Sequence, residues 1–184
     1  MAENLTNEAY DPADMKIIDR YVEAIDRAED YLIRPGNIDN PSTPGVMAKK
    51  VALENHKFLA SRAQAVFKDK VKDAKSAPKK DRPGMMKEAK KLLKDYTKRL
   101  NDDKNKRVQA ANRLIKEEHA ATAELRGALK DLDNIKDGRV KDLAAKLKEV
   151  HHLRIGKGKH LTMAQLKQDV MSKNAPASKV MPER

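Results

Sequence analysis

The chain has 184 residues, 40 Lys and Arg against 28 Asp and Glu, and a net charge of +12. It has no Cys and no Trp, two Phe and four Tyr. Zero Cys excludes disulfides, thiolate chemistry and Cys-ligated zinc or iron–sulfur sites, and the shortage of aromatics argues against a large compact core. The apolar residues are mostly Ala, Leu, Val, Met and Ile, a set of helix formers, so an all-α fold is expected.

The charge is unevenly spread. Residues 1–33 carry nine acids and three bases, net −6, and residues 34–184 carry 37 bases and 19 acids, net +18. Residues 45–100 alone hold 17 bases and six acids. The first residues, Met1-Ala2-Glu3-Asn4, are acidic and polar rather than signal-like. No apolar run approaches the ~20 residues of a membrane span. The expectation is a soluble chain, cytoplasmic or inside a virion or other assembly.

In chain order, residues 1–33 hold an acidic amphipathic helix. Asp11 is its N-cap and Pro12 its first residue. Met15, Ile18, Val22, Ile25 and Leu32 form its apolar stripe, and Arg34-Pro35-Gly36 stops it. Residues 34–44 are a Pro-rich connector. Thr43 and Pro44 then open a basic helix over 45–75, which holds both phenylalanines. The best-packed contact of the protein is expected there. Residues 76–84 are a basic linker.

From residue 85 to 136 the apolar positions stay in phase with a 3.6-residue repeat, even across Asn101–Lys106. One long helix is favoured, about 78 Å at 1.5 Å per residue, with a hairpin bent at 101–106 as the rival. The predicted fold is therefore elongated, with an N-terminal helical hairpin and a long central helix. The second half of that helix also reads as a mediocre heptad seam: Val108, Ala111, Ile115, Glu118, Thr122, Leu125, Leu129, Leu132 and Lys136. Residues 137–173 are read as short helices around a basic Gly loop at 154–160. Thr162 and Gln165 form a capping box before the last helix. Residues 174–184 are a tail.

No catalytic arrangement stands out. Glu117 with Glu118, and Asp102 with Asp103, are sequence neighbours that face different ways on a helix. His151, His152 and His160 lack the spacing of a metal set, and the bland reading is surface histidines near a helix end. The Gly156-Lys157-Gly158-Lys159 loop lacks P-loop spacing. Pro176 and Pro182 leave no room for a recognition helix after residue 162. The expectation is therefore a non-enzyme with no cofactor and no metal.

The strongest signal is the basic run. Lys72, Lys75, Lys79, Lys80, Arg82, Lys87 and Lys91, with Arg154, Lys157 and Lys159, are the candidate anion contacts. They suit a DNA or RNA phosphate backbone read without sequence preference, because no aromatic side chains crowd the run to stack bases. An internal or ejected component of a phage or viral particle would fit such a chain by composition. The rival is a protein-only helical adaptor or scaffold that meets other subunits through Met15, Ile18, Val22, Ile25, Ile115, Leu125, Leu129 and Leu132. A small regulator or inhibitor is a third reading. The acidic first helix docking on the basic surface, in the same chain or a neighbour, is a further possibility.

Overall fold

The structure, a computed structural model, describes residues 10–157 and 162–174, with the side chains of 153–157 and 174 outside the described set. All regular structure in the described residues is helical: α1 (Pro12–Glu29), α2 (Pro44–Ser76), α3 (Arg82–Asp131), α4 (Gly138–Lys157) and α5 (Met163–Asn174). Short 3₁₀ turns lie at Pro35–Asn37 and Leu132–Asn134. The 50-residue α3 is helical straight through Asn101–Lys106, so no hairpin is bent there. The absence of Gly and Pro from that stretch is the reason. At its start α3 takes in Pro83 and Gly84, three residues earlier than expected, because proline is tolerated in a first turn.

The chain divides into two compact units, one of residues 1–41 and 118–184, the other of residues 42–117. The first unit holds the core. Its α1 opens as predicted, with the Asp11 carboxylate accepting from the Ala13 N–H at 3.0 Å. Ile18, Tyr21, Val22, Ala24, Ile25 and Ala28 are buried along its inner face. Against them pack Ala121, Leu125 and Ala128 from the end of α3, Leu132 from the 3₁₀ turn after it, Val140, Leu143 and Leu147 from α4, and Met163 and Leu166 from α5.

α1 ends at Glu29, short of the Leu32 that the apolar spacing places on its stripe. The Ile33 N–H donates to Ala28 O and the Leu32 N–H to Glu29 O, both at 3.0 Å, the paired bonds of a Schellman turn. Such a turn needs a left-handed residue, and Leu32 supplies it with φ 59°. The reversal turns Leu32 outward at 53% exposure and swings Ile33 inward to 1%. Asn37 braces the turn by donating to Leu32 O at 2.9 Å and accepting from the Arg34 N–H at 2.7 Å. Arg126 holds the connector to α3 through Ile38 O and the Asp39 carboxylate, each at 3.2 Å.

α4 and α5 start where α1 presents a carboxylate. Asp14, buried at 3% exposure, accepts from the Asp137 N–H at 2.8 Å and the Lys136 N–H at 3.2 Å. Asp26 accepts from the Met163 N–H at 2.6 Å and the Ala164 N–H at 3.2 Å. The first turn of α5 leaves N–H groups without intrahelical partners and carries partial positive charge, so Asp26 is favoured there twice, whereas Asp14 takes the two N–H groups just ahead of α4. Asp137 caps α4 as well: its carboxylate accepts from the Arg139 N–H at 2.9 Å. That backbone bond, with the Arg139 guanidinium beside it, holds Asp137 below the usual carboxylate range. The Thr162–Gln165 capping box forms at α5, with reciprocal bonds of 3.2 and 3.0 Å.

The second unit is an antiparallel hairpin of α2 and the first part of α3, joined by a turn at residues 77–81. Thr43 caps α2, accepting from the Val46 N–H at 3.4 Å. His56 meets Asn101 across the hairpin at 2.9 Å. Here the expected best-packed contact is missing. Only small residues are buried along the pair, Gly45, Ala52 and Ala74 on α2 and Ala89 and Ala111 on α3. Phe58 stands 59% exposed, with Arg62 over its ring, and Phe67 is half-buried. Two helices have one mutual seam, which cannot close around large side chains without a third layer.

Candidate functional site

The net charge of the chain resides in the hairpin. Residues 42–117 carry 22 Lys and Arg and nine Asp and Glu, net +13, while the rest carries 18 and 19, net −1. Lys72, Lys75, Lys79, Lys80, Arg82, Lys87 and Lys91 are all exposed. The structure gathers these seven at the closed end of the hairpin, on the last two turns of α2, the 77–81 turn and the first turns of α3. Lys72 and Lys75 are neighbours on α2, as are Lys87 and Lys91 on α3, by their i,i+3 and i,i+4 spacing. Arg82 anchors the turn, its Nε donating to Ala77 O at 2.8 Å.

The other three candidate cations belong to the first unit. The helix α4 carries the backbone through Arg154 and on to Lys157, where the Gly loop is expected to begin, so residues 154–157 are helical rather than looped. Gly156 lowers helix propensity without forbidding the conformation. The side chains of Arg154 and Lys157, and all of Lys159 with the remainder of that loop and the 175–184 tail, lie outside the described residues.

The residues expected to meet other subunits lie largely inside the chain's own core. Ile18, Val22, Ile25, Leu125 and Leu132 are buried there, and Met15 and Leu129 pack against it. Ile115 is half-buried in the hairpin. An apolar stripe specifies that something covers it, and here the covering elements are α4 and α5.

Four of the five acids of α1 are likewise engaged within the first unit, and Glu23 is exposed. Besides Asp14 and Asp26, Asp19 pairs with Lys167, and Glu29 shares a 2.7 Å hydrogen bond with His151. Arg20 and Arg27 of the same helix reach Asp131 and Glu124 of α3. His151 is therefore a buried, partnered residue at 4% exposure, not a surface histidine. Its neighbour His152, turned about 100° round the helix, is exposed. No metal-binding cluster of His, Asp and Glu occurs among the described residues.

Two recesses are notable. One, of about 560 Å³ in the first unit, is bordered by Tyr21, Arg34, Lys148 and His152. Burial pushes the Tyr21 hydroxyl up to about 12, so it keeps its proton through the neutral range. The other is a groove of about 520 Å³ along the hairpin, floored by Leu59, Ala63, Val66 and Phe67 of α2 and Ala89, Leu92, Leu93 and Tyr96 of α3. Arg62 and Lys70 stand on its edge, and no carboxylate lines it. Sequence periodicity marks these apolar positions, Leu92 excepted, but treats them as core.

No described helix is long and apolar enough to cross a membrane. In comparisons with known proteins, no family model matches the chain, and no curated protein and no solved structure matches it.

Proposed function

We propose that this chain is a non-enzymatic assembly protein whose basic hairpin contacts the phosphate backbone of nucleic acid without reading sequence. The observation that carries this reading is the segregation of charge: the hairpin has net +13 and the rest of the chain net −1. Exposed lysines at the closed end of the hairpin can each neutralise a phosphate and release its counterion. Lysine suits this role, because a point charge on a flexible stem follows a backbone rather than a base edge. A position beside packaged nucleic acid in a phage or viral particle is one setting for such a surface.

The test is a titration with unrelated DNA duplexes of equal length at several salt concentrations. Binding without sequence preference is expected. If all seven clustered cations engage phosphates, the log–log salt slope should be about −6. Replacing Lys72, Lys75, Lys87 and Lys91 by Gln should flatten it by about 3 to 4. No binding at low salt sinks the reading.

A second reading, a helical adaptor for other proteins, is favoured by a different observation. Val51, Phe58, Val66, Leu92 and Tyr96 leave large apolar side chains of the hairpin 41–59% exposed. Val66, Leu92 and Tyr96 line one groove, and exposed apolar surface gathered in this way marks an interaction site.

A further inference from the structure

We infer that the groove between α2 and α3 is the seat of an acidic amphipathic helix from a partner protein, which completes a three-helix layer on the hairpin. This inference stands on the groove's apolar floor and does not depend on nucleic-acid binding. Val66, Leu92 and Tyr96 are 52%, 46% and 41% exposed although they line a concave surface. A phosphate backbone has nothing to place against such a floor, whereas a helix with an apolar stripe does. The floor on α2 runs from Leu59 to Phe67, with Lys70 at its end. Those positions span about 16 Å, or three helical turns, which is room for an i, i+3, i+4, i+7 set of anchors.

Charge selects the occupant. Arg62 and Lys70 line the groove and no Asp or Glu does. A second copy of this chain would bring another hairpin of net +13 against the first, and like charges so juxtaposed are costly. The chain's own acidic helix is not available either, because the apolar face of α1 is buried in the first unit's core and Asp14, Asp19, Asp26 and Glu29 are engaged there. The fitting partner is a helix with an apolar face for the floor and Asp or Glu flanking it to meet Arg62 and Lys70.

The probe is a displayed library of helical peptides with Leu at the a, d and e positions and either Glu or Lys at each remaining one, selected on the full chain. Glu is expected to be enriched at the positions flanking the stripe. The selected peptide should bind at least tenfold more weakly, about 1.4 kcal/mol, to the Val66→Gln/Leu92→Gln variant. It should also weaken with Arg62→Glu/Lys70→Glu. Because Val66 and Leu92 are about half exposed already, the glutamine variant should retain the parent helicity, and its duplex affinity should be unchanged. Equal enrichment of Glu and Lys, undiminished binding to the glutamine variant, or no retained peptide would overturn the inference. So would sedimentation showing a dimer of the chain that the glutamine variant dissolves, since the occupant would then be a second copy.

Discussion

Replacing Asp14 by Ala tests whether α1 organises the C-terminal helices. In the structure the Asp14 carboxylate takes two backbone N–H groups, from Lys136 and Asp137, and it does so almost without solvent. A hydrogen bond to a charged group contributes about 1.5–3 kcal/mol, and the donors left behind would be only partly rehydrated. Loss of negative charge at a helix N-terminus adds about 0.3–1 kcal/mol. Discounting for the partial exposure of Asp137, the substitution should cost about 2–4 kcal/mol. Asp14→Asn keeps an acceptor oxygen and should cost about 1 kcal/mol. The assay must isolate the first unit. Tyr10, Tyr21 and Tyr31 lie in it and Tyr96 lies in the hairpin. In a Tyr96→Phe background, with no Trp present, urea unfolding followed by tyrosine fluorescence reports on the first unit alone. A midpoint change below the ~0.5 kcal/mol typical of surface sites would refute the argument, as would equal costs for Ala and Asn.

Leu125→Ala should destabilise the same unit by about 2–5 kcal/mol, because that side chain is fully buried, whereas Phe58→Ala should stay within about 0.5 kcal/mol; denaturant midpoints of the two variants settle the contrast. Leu32→Gly should stabilise by up to about 1 kcal/mol, since glycine accepts the left-handed conformation that a leucine resists; a lower thermal midpoint would contradict it. Asp137 contributes stability above the ordinary carboxylate pKa, and that contribution is lost as the pH falls through its lowered value. Asp137→Asn should therefore flatten the acid limb of a stability–pH curve below about pH 4, and an unchanged limb would show that the cap does not titrate with folding.

Much of the local structure is legible in the chain. Asp11-Pro12, Thr43-Pro44 and Thr162 with Gln165 mark helix starts by side-chain chemistry that acts within three residues, and each start occurs where that chemistry puts it. The unbroken apolar phase and the absence of Gly and Pro likewise announce that α3 continues across Asn101–Lys106. What periodicity does not encode is the covering layer. Both α1 and α2 carry an apolar stripe, the sharper one on α1, and Ile25 ends at 1% exposure and Val66 at 52%. The difference is that α4 and α5 are present to cover one and no described element of the hairpin covers the other. Asp14 and Asp26 read only as part of an acidic face, because their partners are backbone N–H groups over 120 residues away that no side-chain pattern announces. The candidate cations were legible as a cluster because lysines close in sequence stay close on a hairpin. The groove beside them was not, since its two walls come from separate helices.

The bond between Asp14 and Asp137 spans 123 positions, and this sets a timetable for synthesis. At about 5–20 residues per second, α1 leaves the ribosome roughly 6–25 s before the backbone groups it is to cap. During that interval Ile18, Val22 and Ile25 have no cover. The hairpin between them, built of contacts local in sequence, can form in microseconds once its second helix emerges. From the emergence of residue 117 to that of Asp137, about 1–4 s at the same rate, the newborn chain is thus a bare acidic helix followed by a finished basic hairpin. A chaperone or a sister chain has its best opportunity then, and a fast-translated messenger should shorten it.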